Sequence, residues 1–201
     1  METVFSLTPA IHCCDYLLII EPPRSVQKQI HAFKEYFRKS YRYPNAIVSK
    51  AHITVLKFRQ YETFEKQLIR HFKRLATYIT PFDIVLHGFG SFVHTLYVDV
   101  RTTGDFIDVL SQHRNELRPF LKSEGFPPHF VSKFHMTIAR NLTPLQHDII
   151  WPSWNRTKYY DRFLADHMVL LKRRCGTLSY SVVQKFPFQA IRPVTQGRLF
   201  A

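Results

Sequence analysis

Two nine-residue stretches, SKAHITVLK at 49–57 and SKFHMTIAR at 132–140, align position by position. Ser, Lys, His and Thr repeat, and every other position pairs apolar with apolar or cation with cation. One His-x-Thr carries little weight in a chain with eleven histidines, because short motifs recur by chance. Two in the same context carry more. Successive side chains of a strand point to opposite faces, so His52 and Thr54 project together from one strand, and His135 and Thr137 from another. Imidazole titrates near neutrality, so two of them across a cleft can act as general base and general acid in one turnover. A neighbouring hydroxyl can donate a hydrogen bond to a phosphoryl oxygen as charge develops on it. The chemistry this permits is in-line displacement at phosphorus: one His takes a proton from water or a ribose hydroxyl while the other protonates the departing oxygen. By strand parity Lys50 and Lys133 share the histidine face as phosphate contacts, whereas Lys57 and Arg140, at odd offsets, point away unless the strand bulges.

An anionic substrate fits the charge. The chain carries 28 Lys and Arg against 15 Asp and Glu, a net +13, which favours nucleic acid over a membrane surface as partner. The plainer alternative is a basic surface that only aids solubility. At 201 residues, 45% apolar, one compact domain over 1–201 is expected, monomeric and not disordered. Cys13, Cys14 and Cys175 make no disulfide framework and no Cys-x-x-Cys pair, which fits a reducing compartment. No histidine spacing reads as zinc ligation, and the carboxylates are scattered, so neither metal nor cofactor is expected. The stretch METVFSLTPAIHCC lacks a basic region with a long apolar run behind it, and YLLII is too short to span a bilayer. The expectation is a cytoplasmic protein without membrane association.

The elements that must position the motifs follow from pattern. Tyr16 to Ile20 is an apolar run closed by Glu21, Pro22 and Pro23, a buried strand. Val26, Ile30, Phe33 and Phe37 recur at helical spacing, and Phe64, Leu68, Phe72 and Leu75 form a second helical stripe over 63–78. Strands are expected for AIVSKAHITVLKF, 82–87, 96–100 and 130–140, with GFGSF as a turn or bulge. A helix over 105–121 turns Phe106, Ile107, Leu110 and Leu117 inward, and Thr143 with Pro144 starts another. WPSWNRTKYY reads as loop, and FLADHMVLLKR and LSYSVVQKFPF as two strands joined at 175–177. The second half thus repeats the first. Such duplication predicts an α+β fold of two lobes related by a pseudo-two-fold, with two antiparallel sheets facing a central cleft and helices on the outer faces.

The paired HITVLKF and HMTIAR, with GFGSF ahead of TLYVDV and the closing LSYSVVQKFPF, resemble the 2H phosphoesterase superfamily, in its 2′-5′ RNA ligase-like and cyclic phosphodiesterase branch. The resemblance implies a bilobal enzyme acting without metal on RNA ends or nucleotides bearing a 2′,3′-cyclic phosphate, or on 2′-5′ linkages. It carries catalysis to His52, Thr54, His135 and Thr137, and supports Lys57 and Arg140, where family members often place a base and an Arg. Phe134 departs from the small residue or Pro that often precedes the second His, which bears on substrate fit. Either histidine alone reads more simply as a hydrogen-bonded core residue, and the aromatics as core; the duplicated context outweighs that for the histidines. The rival reading is a catalytically silent RNA-binding module of the same fold.

Overall fold

The computed structural model describes residues 12–123 and 125–191. The reading of the N-terminal stretch at 1–11 lies outside them. In chain order the elements are β1 (Cys13–Ile20), α1 (Arg24–Tyr41), β2 (Ile53–Tyr61), α2 (Glu65–Tyr78), β3 (Phe82–Phe92), β4 (Thr95–Thr102) and α3 (Phe106–Leu121). They continue as β5 (His129–Phe130), β6 (His135–Arg140), α4 (Pro144–Arg156), β7 (Tyr160–Ala165), β8 (His167–Arg174) and β9 (Ser181–Pro187). Among the described residues no helix is long and apolar enough to cross a membrane.

The strands build two sheets, ordered β5-β2-β1-β8-β9 and β6-β4-β3-β7, with antiparallel pairing throughout. The fold is the expected α+β pseudo-two-fold: the row β2-β1-β8-β9 of one sheet corresponds to β6-β4-β3-β7 of the other. In each lobe a central strand (β1, β4) leads through a helix (α1, α3) into a motif strand (β2, β6). β2 and β6 meet where the lobes join, and α1 and α3 each reach across to the other lobe's motif strand.

Alternation explains which face of each sheet is covered. Along β1, Cys14, Tyr16, Leu18 and Ile20 are buried with Val26, Ile30 and Phe37 of α1 in a core that runs through both lobes. Each such side chain taken out of water stabilises the fold by roughly 1.5–3 kcal/mol. The alternate positions, Asp15, Leu17 and Ile19, face the other way. They form part of the cleft wall.

Five details depart from expectation. The first motif strand starts only at Ile53, because residues 44–47 form a 3₁₀ turn and 48–51 bend. The second is likewise split, into β5 and β6. FLADHMVLLKR is two strands in different sheets, broken at Asp166. WPSWNR is helical despite Pro152 in its interior, since burying Trp154 against Phe89, Phe37 and Phe33, at ring separations of 4.7, 5.9 and 6.3 Å, overrides local preference. Ile107 is exposed, and Val109 takes its place inside. Cys13 and Cys175, far apart in sequence, lie with their Sγ atoms 3.4 Å apart as free thiols.

Candidate active site

Each histidine sits where a loop becomes a strand: His52 just before β2, and His135 at the first position of β6. Each is oriented by the same device. The Nδ1–H of His52 donates to the Lys50 carbonyl at 2.8 Å, and that of His135 to the Lys133 carbonyl at 2.9 Å. A carbonyl only accepts, so this bond fixes the tautomer and leaves both Nε2 atoms for proton transfer. Thr54 and Thr137 are half-buried, and among the described residues neither hydroxyl has a protein hydrogen-bond partner.

Two β-bulges decide where the cations point. β1 pairs with β2 as Ile19 with Thr54 and Leu17 with Lys57, with the extra residue Val55 between them. Residues opposite one another in an antiparallel pair share a face, and Leu17 and Ile19 share one, so Lys57 lies on the face of Thr54. In the other lobe Tyr97 pairs with Thr137 and Thr95 with Arg140, and Ile138 is the extra residue. Arg140 thereby joins His135 and Thr137. Both bulges fall three positions after the histidine, and each reverses the parity that would turn the terminal cation away. The Val55 bulge is tied to the segment after β5 in the same sheet, its carbonyl accepting the Val131 N–H at 3.0 Å.

The parity assigned to Lys50 and Lys133 does not apply, because both precede the strands. Lys50 is exposed on the rim, and its carbonyl orients His52. The Lys133 ammonium lies 3.6 Å from Asp99 and 5.3 Å from the Tyr97 ring centroid. Phe134 turns inward and packs against Phe106, with ring centroids 5.8 Å apart.

Two residues that the sequence patterns did not single out complete the site. Lys34 of α1 is buried, with Nζ donating to the Ser49 carbonyl at 2.6 Å and to its hydroxyl at 3.1 Å. Burial lowers its pKa to about 8, and the Arg140 charge adds to this. No pattern signal marks it, since its helix interleaves charges with Val26, Ile30, Phe33 and Phe37. Tyr97 is also buried, its ring 5.1 Å from that of His135 and 4.6 Å from that of Phe92. Gly90, opposite Tyr97 on β3, makes room for it: a Cβ there would stand 2.3 Å from Tyr97 Cε2.

The electrostatics favour a neutral His52. Burial lowers its pKa first; the bond to Lys50 opposes this, and the positive charges of Lys34, Arg140 and His135 lower it further. The same register places Lys57, Arg59 and Arg173 on the open face of one sheet, and Arg101 and Arg140 on that of the other. Arg59 and Arg173 are held by Asp15 at 2.8 and 3.1 Å, and each guanidinium covers an aromatic ring, Phe126 and Tyr180, at 3.8 and 4.8 Å.

A model of the 2′-5′ RNA ligase superfamily matches residues 22–177. The chain belongs to that superfamily. The matched segment contains both His-x-Thr strands and the four helices of the described residues. Among solved structures it resembles TT0787 of Thermus thermophilus, at 17% identity and a TM-score of 0.63 over 89% of this chain and 100% of that one. It also resembles E. coli LigT complexed with 3′-AMP, at 15% identity and a TM-score of 0.57 over 89% and 98%. A third structure, described as a phosphoesterase, gives 14% identity and 0.54 over 87% and 98%. At these identities the likeness is one of fold. No curated protein sequence matches the chain.

Proposed function

We propose that the protein is a metal-independent phosphoesterase that opens 2′,3′-cyclic phosphates at RNA ends or on nucleotides, or cleaves 2′-5′ linkages, through His52 and His135 as an acid–base pair. The observation that carries this reading is the matched tether of the two imidazoles, each bound through Nδ1 to the carbonyl of a lysine two residues back, with both Nε2 atoms free. His52, held towards its neutral form, takes the proton from the attacking water. His135 gives a proton to the ribose oxygen that leaves. Thr54 and Thr137 donate to the non-bridging oxygens, and Lys57 and Arg140, brought round by their bulges, offset the charge that develops on them. LigT complexed with 3′-AMP lends support from a protein of the same fold. The substrate is placed here by chemistry: a cyclic phosphate needs only in-line attack and protonation of one alkoxide.

The test is turnover of a nucleoside 2′,3′-cyclic phosphate by wild type, His52→Ala and His135→Ala. General acid–base catalysis contributes about 10²–10⁴-fold, so each variant is expected to lose at least about 100-fold in kcat. Full turnover by either one sinks the paired mechanism. A wild type that binds RNA and never turns over a cyclic phosphate or a 2′-5′ linkage is instead the silent RNA-binding module.

A further inference from the structure

Between α1 and the loop leading into β2 lies a cavity of about 350 Å³, lined chiefly by Arg24, Lys28, His31, Lys34, Ser49 and Lys50. Four lysine and arginine side chains share it, and among the described residues no carboxylate lines it. The acidic groups of the neighbouring segments are engaged elsewhere: Glu21 with Lys185 at 2.7 Å, and Glu35 with Arg38 at 2.8 Å, leaving only a 4.0 Å approach of Glu35 to His31. The cations also sit at the wrong end of their helix. Arg24 opens the 18-residue α1, whose first turn holds no acidic residue and whose N-cap, Pro23, supplies no side-chain cap. The helix dipole therefore adds to the positive potential of Arg24 and Lys28. At the pocket wall Lys34, only 2% exposed, spends two bonds on Ser49. An ammonium has three donors, and the third has no protein acceptor among the described residues. Uncompensated like charge around a cavity is unfavourable unless an anion enters it.

The pocket is wired to the catalytic loop. Lys50 lines it while its carbonyl holds the His52 imidazole, and the charge of Lys34 bears on both His52 and Arg140. We propose that this pocket binds a backbone phosphate of the RNA strand whose reactive end lies between His52 and His135. The proposal rests on the phosphoesterase reading for the identity of the strand, and makes the enzyme prefer an oligonucleotide end to a free cyclic nucleotide.

The experiment uses the full chain and the Arg24→Gln/Lys28→Gln double variant, whose changed side chains stand outside the cleft. Two probes are titrated calorimetrically over a range of salt: a hexaribonucleotide with a 3′-terminal phosphate, and cytidine 3′-monophosphate. Neither requires turnover. In the variant the hexanucleotide is expected to bind about tenfold more weakly, with the salt slope of log K reduced by about 1 for each phosphate the pocket no longer neutralises, and the mononucleotide unchanged. Unaltered hexanucleotide affinity and slope, equal weakening of both probes, or no binding of the hexanucleotide to wild type would each overturn the proposal. If the pocket dependence appears and neither cyclic phosphates nor 2′-5′ linkages are ever cleaved, the phosphoesterase reading fails and the pocket stands.

Discussion

His52 and His135 are made equivalent by backbone hydrogen bonds and then made different by their surroundings. Burial and the charges of Lys34, Arg140 and His135 lower the pKa of His52, so the acidic limb of the pH–rate profile should fall below the ordinary imidazole value of about 6.5. Replacing Lys34 by Met removes one of those charges. The pKa of His52 should rise, and the acidic limb should move to higher pH; an unmoved limb would separate Lys34 from the base. The same substitution has a signature in stability. The Lys34 pKa is lowered from 10.5 to about 8, so between these values the unfolded chain binds more protons and stability rises with pH. Relative to Lys34→Met, wild-type unfolding free energy should climb over that window by up to roughly 3–4 kcal/mol, at 1.36 kcal/mol per unit. Urea titrations of both proteins at pH 7.5 and 10.5 read this difference.

At the scale of elements the site depends on two strands that each carry one residue too many. The bulges at Val55 and Ile138 bring Lys57 and Arg140 onto the catalytic face. Gly90 performs the matching service for Tyr97, whose ring would collide with any Cβ there. Gly90→Ala should therefore push the Tyr97 ring from its place beside His135, costing about 1–3 kcal/mol of stability and lowering kcat more than it raises KM. Chemical denaturation and steady-state kinetics measure the two effects, and wild-type values for both would show that the ring adapts without consequence. These devices mark the limit of what sequence showed. The duplicated motifs, the helical stripes and the α+β repeat were legible because they are periodic. A bulge has no such signature: it is chosen by the register between strands far apart in the chain, so parity counted from His52 and His135 gave the wrong face for Lys57 and Arg140. Lys34 is not distinguished by pattern from the other charges of its helix, and its partner, the Ser49 carbonyl, belongs to a bend that the pattern reads as strand. WPSWNR misled for a similar reason, since Pro152 spoke against a helix that the burial of Trp154 imposes.

Across the whole molecule, two lobes place matching His-x-Thr motifs on the strands where they meet, and the proposed mechanism draws one proton transfer from each. Arg and Lys crowd the open sheet faces of a chain with net charge +13, so RNA affinity should fall steeply as salt rises. The proposed acid–base chemistry needs no group beyond the side chains of His52, Thr54, His135 and Thr137. Dialysis against a chelator should leave turnover intact, and a loss restored by added metal would favour metal-assisted hydrolysis over the histidine pair. The most direct test of that pair is the pH dependence of kcat/KM on a 2′,3′-cyclic nucleotide between about pH 5 and 9. With one imidazole required neutral and the other charged, the account predicts a bell. A flat profile over that range would contradict it.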